Sequence, residues 1–167
     1  FKKSLNMKRK TIYLIIAAIV AVFIIFFALG KPSTVNNNAE VPKEPIHWHP
    51  KLTIIIKGEK QFIPPNIGIS VGNNMDNQIS GMRMSPTHTH ESDGTLHLEN
   101  NRPWLKPETL TLGYFFEVWD KNFNSSCIFE YCNGENGTLK MTVNGQPNYD
   151  FGDYIMHDKD NIIIEYK

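Results

Sequence analysis

The chain has 167 residues, and its 17 basic and 17 acidic side chains balance to zero formal charge. That balance argues against an electrostatic nucleic-acid binder. Two cysteines are too few to form the framework of a disulfide-built scaffold, so the folded part must rest on an apolar core.

Residues 1–10 carry Lys2, Lys3, Lys8, Arg9 and Lys10. Residues 11–29 follow as TIYLIIAAIVAVFIIFFAL, without a charge and with only Thr11 and Tyr13 polar. At 1.5 Å per residue such a helix spans roughly 28 Å, close to the hydrocarbon thickness of about 30 Å. Only Lys31 lies close behind it, so the positive-inside rule expects a cytoplasmic N-terminus and everything after Leu29 outside. The expectation is a single-pass protein of the cell membrane, with the bilayer as its partner along residues 11–29. The rival is a cleaved signal peptide ending near Ala28-Leu29-Gly30, but the run exceeds the usual h-region of about 7–15 residues. Residues 30–45 (GKPSTVNNNAEVPKEP) hold almost no large apolar side chain and read as a semi-extended linker. Residues 46–167 remain for one extracytoplasmic domain of roughly 120 residues.

Within the domain, Lys51 to Lys57 (KLTIIIK) is rich in β-branched residues and predicts a strand. Gly58-Glu59 turns it toward a short strand at Gln61–Ile63, which Pro64-Pro65 stops. Ile67 to Val71 reads as an edge strand, residues 72–81 as a polar loop, and Thr95–Glu99 as a strand by its alternation. Thr111 is placed to cap a helix whose Leu112, Phe115, Phe116 and Trp119 fall at i, i+3, i+4 and i+7. Strands follow at Thr138–Val143 and Ile162–Tyr166, with turns at Asn144-Gly145 and Asp158-Lys159-Asp160. The order hairpin, insertion, helix, strand, strand predicts an α+β domain of β-grasp type, a mixed sheet with one helix. A small β-sandwich is the alternative. The tail VNGQP…IMHDKDNIIIEY resembles the closing strands of ubiquitin-like sulfur-carrier proteins. It lacks their terminal Gly-Gly, so that resemblance implies fold and no carrier chemistry.

Chemistry concentrates in the histidines. His47 and His49 open the domain as His-x-His; His88 and His90 repeat the spacing, and His97 and Glu99 continue it. In an extended chain residues two apart share a face, so each pair is a ready chelate and the two pairs can meet across neighbouring strands. The expected ligand pool is His47, His49, His88, His90, His97 and Glu99, with Glu91 and Asp93 as further oxygen donors. Imidazole and carboxylate suit zinc or copper. Met82 and Met84 alternate just upstream as additional ligands, and their soft sulfur tips the expectation toward copper. His157, beside the last turn, reads as a surface residue.

Enzyme signatures are missing. A cupin would need a glutamate where Gly94 and Thr95 stand, and there is no Gly-rich phosphate loop or nucleophile elbow. Cys127 and Cys132 have no second pair for a zinc knuckle, and outside the cell they predict a local disulfide. Asn124-Ser-Ser and Asn136-Gly-Thr are glycosylation sequons flanking that loop.

The segments HWHPKLTIIIKGEKQFIPPNIGI, HTHESDGTLHLE, TLGYFFEVWD and MTVNG together resemble an uncharacterised family of bacterial and archaeal membrane-anchored proteins. Its members share an H-x-H opening strand, an IP-x-NIG segment, an HTHD-x-SG-x-x-H-x-E core and an F-TLG-x-FF-x-W helix. The resemblance covers Ile46 to the C-terminus and implies a His-rich centre at His88, His90, His97 and Glu99, with no established activity. Glu91 stands where the family often has Asp, and the cysteine loop lies outside the pattern. The functional expectation is a membrane-tethered module for capture, storage or delivery of copper or zinc. A metal-dependent enzyme using the same histidines is one alternative. The other is an accessory subunit of a membrane complex, docking a membrane-protein partner through Trp104, Phe115, Phe116 and Trp119.

Overall fold

Strand β2, Lys51–Ile56, turns Leu52, Ile54 and Ile56 into the core and leaves Thr53 and Ile55 half-buried. This is the period-two pattern of a strand with one fully covered face. Its neighbour is the last strand, β10, Asn161–Tyr166, which runs parallel to it with Leu52 beside Ile162, Ile54 beside Ile164 and Ile56 beside Tyr166. Each such aliphatic side chain removed from water contributes roughly 1.5–3 kcal/mol, so this apolar pair of strands anchors the domain.

The computed structural model describes residues 45–77, 81–100 and 106–167, all within one compact unit, Glu40–Lys167. The expected anchor at 11–29, the basic segment before it and linker residues 30–44 lie outside the described residues, as does Trp104. Among the described residues no helix is long and apolar enough to cross a membrane.

The domain is α+β. In chain order the strands are β1 (Ile46–Trp48), β2, β3 (Glu59–Lys60), β4 (Thr87–His88) and β5 (His97–Asn100), followed by helix α1 (Leu112–Trp119). Then come β6 (Cys127–Ile128), β7 (Tyr131–Cys132), β8 (Leu139–Val143), β9 (Gln146–Asn148) and β10. The main sheet has the order β3-β2-β10-β8-β9, and only its central pair β2–β10 is parallel. A second, antiparallel sheet has the order β1-β5-β4. It is built from the opening strand and the insertion between the hairpin and the helix.

Thr111 caps α1 as expected, its Oγ1 accepting from the Tyr114 amide at 3.2 Å. The helix stops at Asp120, which takes a left-handed conformation at φ 58°. Leu112, Phe115, Phe116 and Trp119 are buried, but so are Tyr114 and Val118. The second face is covered by the segment after the hairpin. Gly68 and Gly72 there come so near that a Cβ at either would clash with Val118.

That packing explains two corrections. Ile67 to Val71 is no edge strand: the amides of Ile69, Ser70 and Val71 all turn back to the Asn66 carbonyl, and one bridge joins Ile67 to Val71. Gly68 adopts φ 73°, a left-handed backbone that ends regular pairing. The hairpin's second strand is Glu59–Lys60 and not Gln61–Ile63; beyond it only the Gln61 amide reaches β2, at the Ile54 carbonyl. The disulfide Cys127–Cys132 is formed, closing the small β6–β7 hairpin.

Candidate metal centre

Strand β5 is the middle strand of the second sheet, and it organises the histidines. Leu98 and Asn100 are buried on one of its faces, while His97 and Glu99 lie half-buried on the other. Across the ladders His47 stands opposite Glu99, and His88 stands opposite His97. The two His-x-His pairs therefore do not meet directly, as the sequence suggests; the strand bearing His97 lies between them.

Two groups of donor atoms result. One ligand atom from each of His88, His90, His97 and Glu99 lies within 4.8 Å of the others, and the same holds for His47, His49 and His97. His97 belongs to both groups. The six predicted donors are thus gathered on one small sheet, but as two overlapping sets.

In the first group the tautomer of His88 is set. The Nδ1 of His88 donates to the Ser85 carbonyl at 2.9 Å, since a carbonyl can only accept. The ring's other nitrogen, Nε2, then carries the lone pair. It faces Nε2 of His90 at 3.2 Å; two imidazole nitrogens about 2.05 Å from a tetrahedral zinc ion sit about 3.3 Å apart. His88 is fully buried, and burial pushes its pKa down to about 4, against the Ser85 bond, which acts the other way. His97 is lowered to about 4 as well, by burial first and then by the neighbouring imidazoles of His90, His88 and His49. Both rings are neutral at neutral pH, which is the form that binds metal.

His97 also carries an orphan. Its Nδ1 is buried without a hydrogen-bond partner among the described residues. An unmade hydrogen bond of this kind costs roughly 1–3 kcal/mol, and a coordinating cation is one group that would satisfy it.

Glu99 lies 3.0 Å from Nε2 of His47, with side chains 13% and 63% exposed respectively. The His49 backbone amide donates to Asp158 at 2.9 Å, and this pins the opening strand to the last turn. Asp93 is used elsewhere. Its carboxylate accepts from the Thr95 amide and hydroxyl, each at 2.8 Å, and from Lys51. Those bonds lower its pKa to about 2. It and exposed Glu91 stand in neither group. Met82 is exposed and Met84 half-buried on the bends leading into β4. His157 is exposed, as expected, stacking on Trp48 at 5.8 Å. Both sequon residues, Asn124 and Asn136, are exposed.

Sequence reasoning missed the Ser85 carbonyl and the Asp158 tether. A backbone carbonyl leaves no mark in residue type, and Asp158 is distant in sequence. A cleft of about 370 Å³ lies among Glu108, Thr111, Tyr114, Glu117, Phe123 and Asp153, and no histidine lines it. No protein-family model matches the chain, and neither a curated protein nor a solved structure matches it.

Proposed function

We propose that the protein is a membrane-tethered, extracytoplasmic metal-binding module that captures, stores or delivers copper or zinc. The observation that carries this reading is the first donor group: His88, His90, His97 and Glu99 converge, with the His88 tautomer set by Ser85 and a buried nitrogen of His97 left unpartnered. Three imidazoles and one carboxylate suit zinc or Cu(II), and the thioethers of Met82 and Met84, six and four residues before His88 in sequence, are what favour copper. The charge-free run at 11–29 and the basic residues before it support the tether and its orientation. The disulfide and the exposed sequons at Asn124 and Asn136 suit an external compartment. The strand order with its parallel central pair, and one helix following the hairpin, supports a β-grasp-like domain. The motif pattern supports membership of the family of membrane-anchored His-rich proteins.

The test is elemental analysis of the full-length chain, purified after exposure to Zn2+ or Cu2+ and passed through gel filtration. About one equivalent should remain bound, and it should be lost in His88→Ala and His90→Ala. Absence of bound metal under every loading condition would refute the reading. The enzyme alternative draws no support from the acidic cleft, which lies among other residues.

A further inference from the structure

The proposed centre leaves two clustered histidines unused. His47 and His49, with His97, form the second donor group. The two groups differ in access. The His47 side chain is 63% exposed and that of His49 41%, whereas His88 is buried. Ring centroids run in a row from solvent to the buried ring: His47 to His49 at 4.7 Å, His49 to His97 at 4.7 Å, and His97 to His88 at 5.5 Å. A neutral imidazole has one lone-pair nitrogen, so His97 serves one ion at a time unless it loses its second proton.

We propose that His47, His49 and His97 form an outer station where a divalent cation is first captured, and from which it passes to His88, His90 and Glu99. The inference rests on the metal centre proposed above. His97 is common to both stations, so the ion never has to be stripped of all protein ligands. Water is released at capture, and each later step exchanges one nitrogen or oxygen donor for another with no change in oxidation state. When the ion arrives, His90 gives its Nε2 proton to solvent and takes one from solvent at Nδ1, so the ring stays neutral and Nε2 is free to coordinate. Glu99 reaches both groups, since it already contacts His47 at 3.0 Å.

Removing a station that lies on the path but is empty at the end slows arrival and departure by the same factor and leaves the equilibrium unchanged. A ligand of the final site instead weakens the equilibrium, mostly through faster release. The test uses the full-length chain in detergent with Zn2+ alone, following loading and chelator-driven release by stopped flow. The variant is His47→Gln with His49→Ala; glutamine keeps a donor for Glu99. Loading and release should both slow about tenfold while Kd stays within about threefold of the parent. A second variant, His88→Ala with His90→Ala, should retain weak, fast-exchanging Zn2+ that His49→Ala then removes. Unchanged rates, a weaker Kd from faster release alone, or two tightly held equivalents would each overturn the relay. If the parent chain holds no Zn2+ at all, the centre itself fails; if it holds one equivalent and the rates do not move, only the relay fails.

Discussion

Glu99 and His47 face each other across the β1–β5 ladder, carboxylate to imidazole at 3.0 Å. The carboxylate is the one anionic donor in the first group, and it also touches the second. Glu99→Gln keeps the shape and an accepting oxygen but removes the charge. Metal affinity should fall about 10–100-fold while the fold persists. Chelator competition at neutral pH measures it, and an unchanged affinity would take Glu99 out of the ligand set.

The orphan nitrogen of His97 opposes stability in the metal-free protein. Replacing His97 by Leu removes the unsatisfied group, and the chelated protein should gain about 1 kcal/mol. The same change should abolish stabilisation by metal, which for the parent at a hundredfold excess over Kd amounts to about 2.7 kcal/mol. Urea denaturation with and without Zn2+ reads both effects. A destabilised His97→Leu in chelator would show that the ring is needed for packing.

Acid should weaken the metal-free domain through His88. Its pKa is about 4 when folded, against 6.5 in the free side chain. Between these values the unfolded chain holds a proton that the folded chain does not, so acidification favours unfolding. The contribution is complete above about pH 6.5, declines through the window and flattens below about pH 4, for a total of roughly 3 kcal/mol. Denaturation in chelator at several pH values tests the slope, and His88→Asn should roughly halve it, since His97, also lowered to about 4, titrates over the same window.

Gly94 sits at φ 90° where a Cβ would strike the Leu52 carbonyl oxygen, and its own carbonyl accepts from the Leu52 amide at 2.8 Å. That contact seats the loop between His90 and His97 on β2. Gly94→Ala combines backbone strain with a clash, and it should cost roughly 2–4 kcal/mol and weaken metal binding together with stability. Thermal melts and a zinc titration on the same sample would check the coupling.

The disulfide should matter less. It closes a loop of sequence separation 5, for which chain entropy alone is worth about 2 kcal/mol. Neither cysteine belongs to a donor group. The paired change Cys127→Ser, Cys132→Ser should lower the melting temperature and leave zinc affinity within about twofold.

Much of this site is legible in the sequence because strand side chains alternate with period two. Leu98 and Asn100 face the core while His97 and Glu99 face the histidines, as the spacing requires. The helix is equally readable from Thr111 and the spacing of Leu112, Phe115, Phe116 and Trp119. The order of strands is not. His47 and His88 share no local window with His97, so only long-range pairing decides that β5 lies between β1 and β4. Ile67 to Val71 misleads for a related reason. Its apolar residues suit a strand, but contact of Gly68 and Gly72 with α1 decides the backbone, and that contact is made 46 residues or more down the chain.

The register of the β1–β5–β4 sheet has a further consequence. A slip of one residue along β5 would exchange His97 and Glu99 for Leu98 and Asn100 on the donor face. No single-residue misalignment preserves the ligand set. Under the proposed function a bound ion would proofread strand alignment, and the fraction of chains that retain it would count those that have paired correctly.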